Sequence, residues 1–394
     1  MELTAKQQEG LKIALERYNN HEKYTVISGY AGTGKSTLVK FIIDALEVSP
    51  ARVVYATFTG KAAEVLRKKG NPNAQTLHKL LYDTKPLKNG GFYRHPKDNL
   101  APAKIVVVDE VSMVPKDMIN LLLGHQVYVL FLGDPFQLPM IDKSQSHTLL
   151  DHPHVFLDEV MRQAAESEII RLTMKIRAGE SIQYGKGTEV QVAPASELCT
   201  GMYTWADQII CAKNNTRHAI NQQIRELNGY TGYLQEGEKV IIKRNYWDDC
   251  NDEGNALVNG STGILKNWKE DVIVIPQNIR MTGSRKIDII KADFYPEVGS
   301  PFNNIAFDKK FLIDEEPCLD WKVSYQLNQT KKFGVDLIPR QMTYGYAITC
   351  HCAQGSEWEK VLVIEENFPF EKTEHARWLY TACTRPSEKL VLIR

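Results

Sequence analysis

A glycine-rich segment near the start of the chain has residue types and a spacing that suit phosphate binding. Residues 29–37 have the sequence GYAGTGKST and follow directly on the apolar run YTVIS. They fit the pattern G-x-x-x-x-G-K-[ST], in which backbone N–H groups surround the phosphates, the lysine reaches the outer phosphates and the hydroxyl binds Mg²⁺. The sequence therefore predicts a site for ATP or GTP with Mg²⁺. The predicted contacts come from Gly32, Thr33, Gly34, Lys35, Ser36 and Thr37.

An acidic pair follows a second apolar run. In KIVVVDEVSM, Asp109 and Glu110 end a segment that has the composition of a buried strand. One carboxylate here can hold Mg²⁺ together with Ser36, and its neighbour can position and deprotonate an attacking water. We therefore expect Asp109 to be a metal ligand and Glu110 to be the general base of nucleotide hydrolysis.

A third polar motif, GDPFQLP at residues 133–139, follows the next apolar run. The carboxyl ends of parallel strands meet at one edge of a sheet, so Gln137 is expected near the terminal phosphate, where its amide can sense whether that phosphate is present. Taken alone, the motif is equally compatible with a polar turn.

Composition limits the function classes. The chain has 394 residues, of which 43% are hydrophobic and 24% charged, as expected for two or three globular domains. No apolar run approaches the ~20 residues that cross a bilayer, and the first residues lack a signal-peptide pattern, so we expect a cytoplasmic protein. The seven cysteines include no C-x-x-C pair, which favours reduced thiols; zinc at Cys350-His351-Cys352 is a weak alternative.

The charge balance is neutral, because Lys+Arg and Asp+Glu both number 48. A protein that binds nucleic acid by general electrostatic attraction is usually basic. Any nucleic-acid site on this chain is therefore expected to be a local groove.

Apolar runs alternate with helical patterns in the first half of the chain, which predicts an α/β domain with a parallel sheet. A second α/β series begins near residue 207 and resumes at 342–350, and short β-like runs lie between its two parts. The Asn89-Gly90-Gly91 turn predicts a projecting hairpin. The expected division is a first domain at 1–160 with a hairpin at 82–100, a second domain at 161–240 and 336–394, and an inserted small β domain at 241–335.

The order of these motifs resembles that of the superfamily 1 helicases, and most closely that of their RecD/Dda-like branch. The resemblance covers nearly the whole chain. It is carried by TGKAA, TLH, DEVSM, GDPFQLP, EVMRQ, GEKVII, VNGSTG, AITCHCAQGSE and LYTACTR.

The resemblance implies roles for further residues. Arg162 and Arg385 align with arginines that reach the γ-phosphate across a cleft, where such residues can raise the rate by roughly 10³–10⁵. Gln7 would hydrogen-bond to the adenine edge and favour ATP over GTP, and Glu357 would approach the nucleotide sugar. The implied contacts to DNA phosphates come from Thr59, His78, Thr349 and His351.

The family architecture implies two RecA-like domains, a hairpin in the first and an SH3-like barrel inserted in the second. The implied activity is ATP-driven 5′ to 3′ translocation on single-stranded DNA with unwinding of duplex forks. Phe92 beside the hairpin turn could stack on the terminal base pair, or it could pack the hairpin onto its own domain. The mechanism requires no more than a monomer, and replication or recombination proteins are expected partners.

Two departures from the family pattern stand out. Cys352 replaces the usual lysine of the H-K-x-Q-G segment and so removes a cationic contact. Pro386 follows the last arginine motif, so the helix that carries this motif is expected to end early.

Three other functions stay open from the sequence. The chain could be a helicase subunit of an exonuclease complex, an ATP-driven translocase or protein–DNA remodeller without strong unwinding, or an RNA motor. The preference for DNA rests on the family resemblance, because no residue obviously recognises a 2′-hydroxyl.

Overall fold

The computed structural model describes residues 3–86, 92–140, 142–297, 299–330 and 336–394. The helices are α1 Ala5–Asn19, α2 Lys35–Ala45, α3 Gly60–Lys68, α4 Leu77–Leu81, α5 Lys116–Leu123, α6 Arg162–Ala165, α7 Glu168–Ala178, α8 Thr200–Trp205, α9 Asn214–Leu227, α10 Lys309–Asp314, α11 Trp321–Thr330, α12 Cys350–Ala353 and α13 Lys372–Cys383. The strands are β1 Tyr24–Gly29, β2 Val53–Thr57, β3 Gln75–Thr76, β4 Tyr82–Pro86, β5 Phe92–Pro96, β6 Ile105–Val108, β7 Tyr128–Gly133, β8 Val155–Leu157, β9 Gly185–Lys186, β10 Val190–Ala193, β11 Gln208–Cys211, β12 Lys239–Ile242, β13 Tyr246–Cys250, β14 Ala256–Leu257, β15 Thr262–Val274, β16 Lys286–Pro296, β17 Phe302–Asp308, β18 Met342–Tyr344, β19 Ala347–Thr349, β20 Trp358–Ile364 and β21 Pro386–Ile393.

The first sheet has the strand order β3-β2-β6-β7-β1-β8, and its strands pair in parallel. Its central strands are buried along their whole length, as expected for apolar runs covered by helices on both faces. The core includes Ile27, Leu38, Val107 and Leu130, each fully buried. The predicted parallel α/β core is therefore confirmed.

The second sheet has the order β19-β11-β20-β21-β10-β9. Its paired central strands run parallel, and β9 joins antiparallel at one edge. The helix that precedes β21 ends at Cys383. The early end expected from Pro386 is therefore observed, and this proline begins the last strand.

The chain forms two compact units. The first comprises residues 1–81, 97–217 and 348–394, and it contains both parallel sheets. The second comprises residues 82–96 and 218–347.

The second unit is built on a five-stranded antiparallel sheet of order β17-β16-β15-β12-β18. One face packs a core that includes Leu265 and Phe294, and a second cluster joins Ile289 to α11 through Leu327. The hairpin strands β4 and β5 pair from Tyr82↔Pro96 to Pro86↔Phe92. The turn at 87–91, which holds the Asn-Gly-Gly signal, lies outside the described residues.

The segment at 342–350, where the second α/β series was expected to resume, forms two strands in different sheets. Met342–Tyr344 pairs with β12 of the second unit, whereas Ala347–Thr349 lies at the edge of the second parallel sheet. The break comes at Gly345, where an added Cβ would lie 2.9 Å from the Val240 backbone. Only glycine permits this close approach, and the chain changes sheets there.

Among the described helices, none combines the length and the apolar character that crossing a membrane requires.

Candidate nucleotide and DNA site

The glycine-rich segment forms a tight loop between β1 and α2 in the first unit. Gly32 and Gly34 have φ values of 75° and 78°, in the left-handed region that favours glycine. A Cβ on Gly34 would come within 2.5 Å of the Gln7 amide nitrogen. Lys35 begins α2, and its Nζ donates to the carbonyl oxygens of Gly29 at 2.7 Å and Tyr30 at 3.0 Å. Loop N–H groups and the start of a helix together favour an anion such as a phosphate.

Asp109 lies directly after β6 and is partly buried. Burial, followed by the neighbouring charge of Glu110, raises the pKa of the Asp109 carboxyl to about 6, against the opposing effect of Lys35. The Glu110 backbone N–H donates to Asp109 Oδ1 at 2.9 Å, and Glu110 has a left-handed φ of 51°. This left-handed backbone conformation turns the chain sharply after the strand.

The donor set suits Mg²⁺, which prefers oxygen ligands. Ser36 is exposed at the start of α2, and a nearby cation would stabilise the partly buried Asp109 carboxylate. Within the described ranges, no group of three or more His, Cys, Asp or Glu side chains could hold a metal. A metal here would therefore depend on hydroxyl, carboxylate and nucleotide oxygens together.

The GDPFQLP loop follows β7, the strand between β6 and β1. Asp134 is 2% exposed and accepts hydrogen bonds from the Phe136 backbone N–H at 2.9 Å and from the Tyr380 hydroxyl at 2.6 Å. Gln137 is 8% exposed, and its backbone N–H donates to the Asp134 carbonyl at 3.3 Å. Burial raises the pKa of both Asp109 and Asp134, and the Lys35 charge opposes the rise in each case, so these groups share one electrostatic site.

Gln7 lies against the phosphate-binding loop. Its Oε1 accepts from the Thr4 backbone N–H at 3.1 Å, completing a capping box at the start of α1. Its Nε2 donates to the Thr33 carbonyl at 3.3 Å. Both ends of the amide are therefore bonded within the protein, and adenine recognition by Gln7 stays a prediction.

The two predicted arginines differ in their surroundings. The Met161 backbone N–H, one residue before Arg162, donates to the Gly32 carbonyl at 2.9 Å, so this segment begins at the loop. The Arg162 side chain lies outside the described residues. Arg385 is 4% exposed, and its guanidinium donates to the Thr381 carbonyl at 3.0 Å and to Thr384 Oγ1 at 2.9 Å, both within the C-terminal segment.

Two predicted DNA contacts lie on α3 and α4. Thr59 caps α3, with its Oγ1 accepting from the Ala62 N–H at 3.2 Å. His78 is 9% exposed, and its ring centroid lies 5.6 Å from that of Phe58. A Cβ added at Gly355 would lie 3.2 Å from Thr59 Oγ1, so the C-terminal motif lies beside α3.

The other predicted contacts lie in the AITCHCAQGSEW segment. Thr349 caps α12, and its Oγ1 lies 3.4 Å from the Sγ of Cys352, the residue that replaces the usual lysine. Burial lowers the pKa of His351, which favours the neutral imidazole. Glu357, predicted at the nucleotide sugar, forms a 3.2 Å ion pair with Lys69. The Phe92 side chain lies outside the described residues.

Trp358 is 8% exposed, lies in β20 and belongs to the buried core. The Lys61 ammonium lies 3.7 Å from the centroid of its ring.

Sequence reasoning missed three residues that contact this site. Tyr380, Thr381 and Gln354 bind the phosphate-binding loop and the GDPFQLP loop. The available signal was that Tyr380 and Thr381 belong to the LYTACTR motif and Gln354 belongs to AITCHCAQGSE. Their partners lie hundreds of residues away in the chain, so no local pattern marks them.

Comparison with known proteins shows two family models along the chain. A model described as an AAA domain matches residues 2–191, and one described as a UvrD-like helicase C-terminal domain matches residues 344–393.

Curated relatives include two helicases. The ATP-dependent RecD2 DNA helicase of Deinococcus radiodurans is 28% identical over 380 residues, covering 93% of this chain and 46% of that protein. The ATP-dependent DNA helicase dda of Enterobacteria phage T4 is 28% identical over 193 residues, covering 45% of this chain and 43% of that protein. The matches thus span a little under half of each of these relatives.

Among solved structures, the Pif1 helicase from Bacteroides in complex with ADP-AlF3 and single-stranded DNA is similar with a TM-score of 0.50 and 18% identity. The match covers 100% of this chain and 92% of that chain. This likeness supports a RecA-like helicase fold. The UvrD-like helicase model and the two curated helicases agree with the resemblance of the ordered motifs to the RecD/Dda-like branch of the superfamily 1 helicases.

Proposed function

We propose that this chain is an ATP-driven DNA helicase that translocates 5′ to 3′ on single-stranded DNA and unwinds duplex forks. The observation that carries the proposal is the link between the two parallel sheets within one compact unit. Tyr380 of α13 accepts a hydrogen bond from the Ala31 backbone N–H of the phosphate-binding loop at 2.9 Å. A nucleotide on this loop would therefore lie where the two sheets meet, as a closing and opening motor requires.

ATP hydrolysis would proceed with the following roles. Lys35 would contact the outer phosphates, and Glu110 would orient the attacking water and accept its proton. Gln137 would sense the γ-phosphate, and Arg162 and Arg385 would neutralise charge in the transition state. Gln7 and Glu357 would contact the adenine and the sugar.

Ser36 and Asp109 would hold Mg²⁺. When bound, the ion supplies positive charge that stabilises the phosphate oxygens during transfer.

Translocation would follow from alternating grip. ATP closes the two RecA-like domains on each other and hydrolysis releases them, so a strand held differently in the two states moves in steps. Contacts to DNA phosphates would come from Thr59, His78, Thr349 and His351. Single-stranded DNA is also the ligand named for the structurally similar Pif1 complex.

Duplex separation would use the second unit. Opening a duplex costs about 1.4 kcal/mol per base-pair step. The hairpin β4–β5 would act as the wedge, with Phe92 stacking on the terminal pair. The antiparallel sheet of the second unit would correspond to the SH3-like insert, and residues 1–160 and 161–240 with 336–394 to the two RecA-like domains.

The test is ATP-dependent unwinding of a short duplex with either a 5′ or a 3′ single-stranded DNA tail. We expect unwinding only from the 5′ tail, and no unwinding by Lys35→Ala, which lacks the phosphate contact. Preference for the 3′ tail would overturn the direction but not the helicase activity. ATP hydrolysis stimulated by DNA without unwinding from either tail would instead support a translocase or remodeller.

A further inference from the structure

Three buried side chains of the C-terminal segment bind two loops of the first sheet. We call Gln354, Tyr380 and Thr381 the C-terminal clamp; they are 6%, 1% and 0% exposed. None of them is used by the hydrolysis roles above. Their contacts connect the second sheet to both loops that flank the phosphate site.

Tyr380 joins the phosphate-binding loop to the GDPFQLP loop through one atom. Its hydroxyl oxygen accepts from the Ala31 backbone N–H at 2.9 Å and donates to Asp134 Oδ2 at 2.6 Å. The Tyr380 ring also meets the Phe136 ring edge-on, with centroids 5.2 Å apart. Because the hydroxyl has one proton and two bonded partners, its position depends on both loops at once.

Leu138 is held through both of its backbone groups. Its N–H donates to Thr381 Oγ1 at 2.9 Å, and its carbonyl accepts from Gln354 Nε2 at 2.6 Å. The neighbouring residue is Gln137, the predicted γ-phosphate sensor. Any movement of α13 relative to the first sheet must therefore move the backbone beside this sensor or break these bonds.

Breaking the clamp is unfavourable because its partners are buried. Burial raises the pKa of Asp134, and the Lys35 charge and the hydrogen bonds from Tyr380 and Phe136 oppose this effect. A buried polar group that loses its partner bears its full desolvation cost. The clamp therefore favours a single position of α13 relative to the two loops.

We propose that Tyr380, Thr381 and Gln354 are positioning residues that transmit the DNA-bound state of the second sheet to the phosphate site, so that DNA stimulates ATP hydrolysis through them. This inference rests on the proposed helicase function. The clamp acts through Ala31 and Leu138 on the position of Gln137, and none of its members touches the reacting phosphate.

The test compares Tyr380→Phe and Thr381→Val with the wild-type chain in ATP turnover with and without a single-stranded oligonucleotide. We expect each variant to lower the ratio of DNA-stimulated to basal turnover by about five- to tenfold, the factor that one buried hydrogen bond supplies. Affinity for a fluorescent ADP analogue and for the oligonucleotide should stay within about twofold, because neither side chain is assigned to ligand binding.

Two controls separate coupling from general damage. Thr381→Ser keeps the hydroxyl and should restore stimulation. Ser387→Ala removes a hydroxyl that donates to the Trp358 carbonyl at 3.3 Å within the same segment, and it should leave stimulation unchanged.

The possible outcomes are distinct. Stimulation within twofold of wild type in both Tyr380→Phe and Thr381→Val, or ADP binding lost together with stimulation, would overturn the clamp while leaving the helicase function standing. A wild-type ATPase that DNA does not stimulate would overturn both.

Discussion

At the scale of single residues, the site contains a partly buried carboxylate, Asp109, whose charge is only partly balanced by Lys35 and a backbone hydrogen bond. Asp109 follows a fully buried strand, and the Glu110 charge lies directly beside it. Both effects disfavour ionisation, although Lys35 partly offsets them. A site of this kind is less stable without a cation than with one, which is a common property of catalytic metal sites.

The Asp109 environment predicts a pH-dependent stability. The folded-state pKa of about 6 lies above the ordinary 3.8, so the folded chain binds more protons between these values, and its stability falls as the pH rises through this window. Asp109→Asn removes this cost. In the presence of a chelator at pH 7, the variant should gain up to about 3 kcal/mol in its free energy of unfolding, at 1.36 kcal/mol for each pKa unit.

Thermal or urea unfolding at pH 7 and pH 4 measures this difference. The advantage of Asp109→Asn should shrink towards pH 4, where the wild-type carboxyl is protonated in the folded state. A variant less stable than wild type at pH 7 would contradict the assigned burial cost.

At the scale of elements, three motifs of the phosphate site lie where strands end. The phosphate-binding loop follows β1, Asp109 follows β6 and Asp134 follows β7, so three parallel strands deliver their motifs to one edge of the sheet. The hairpin β4–β5 is a separate element whose first and last residues lie close together. Tyr82 pairs with Pro96, and the Lys97 backbone N–H donates to the Leu81 carbonyl at 2.9 Å.

Because the two ends of the hairpin lie close together, the hairpin can be deleted and its ends joined by a short linker. Replacing residues 83–95 by a short glycine linker should abolish unwinding of a 5′-tailed duplex, since the wedge is lost. ATP hydrolysis stimulated by single-stranded DNA should persist, because the deletion leaves every residue of the first unit in place.

A linker of equal length to the deleted hairpin, made of glycine and serine, serves as the matched control for chain connectivity and should also fail to unwind. Unwinding retained by both variants would show that strand separation does not need the hairpin, as expected for a remodeller.

At the scale of the whole molecule, the charge balance is neutral, with 48 basic and 48 acidic side chains. The proposed phosphate contacts are hydroxyls and imidazoles, and burial favours neutral His351 by lowering its pKa. Attraction to DNA should therefore come from a limited local groove and not from the general field of the protein.

We expect binding to single-stranded DNA to weaken with added salt but to vary little among sequences of mixed bases. For single strands, a plot of the logarithm of the association constant against the logarithm of the salt concentration has a slope of about −0.7 for each phosphate that the protein neutralises. The slope therefore gives the number of cationic contacts. Fluorescence anisotropy over a salt series with several unrelated oligonucleotides measures both properties. A strong preference for one sequence would exclude a binding mode based on phosphates and stacking.

The sequence alone predicted the residues and the chemistry of the phosphate site. A phosphate-binding loop is made by consecutive residues whose backbone N–H groups do the work, so a pattern from Gly29 to Ser36 identifies it locally. The apolar runs before Asp109 and the GDPFQLP loop predicted buried parallel strands in the same way, and the structure confirms that sheet. The sequence pattern did not reveal the break at 342–350. There Gly345 packs closely on the Val240 backbone, and the chain leaves one sheet and enters another.

Only the tertiary structure decided how the second sheet reaches the site. Tyr380 binds Asp134 across 246 residues and Ala31 across 349 residues of sequence. Such contacts depend on the packing of separate elements, which leaves no periodicity or spacing in the chain. The structure also gives Arg385 and Gln7 partners within the protein, which their motifs did not reveal. The residue types thus determine which reaction is possible, and the fold determines which distant groups are held in contact with it.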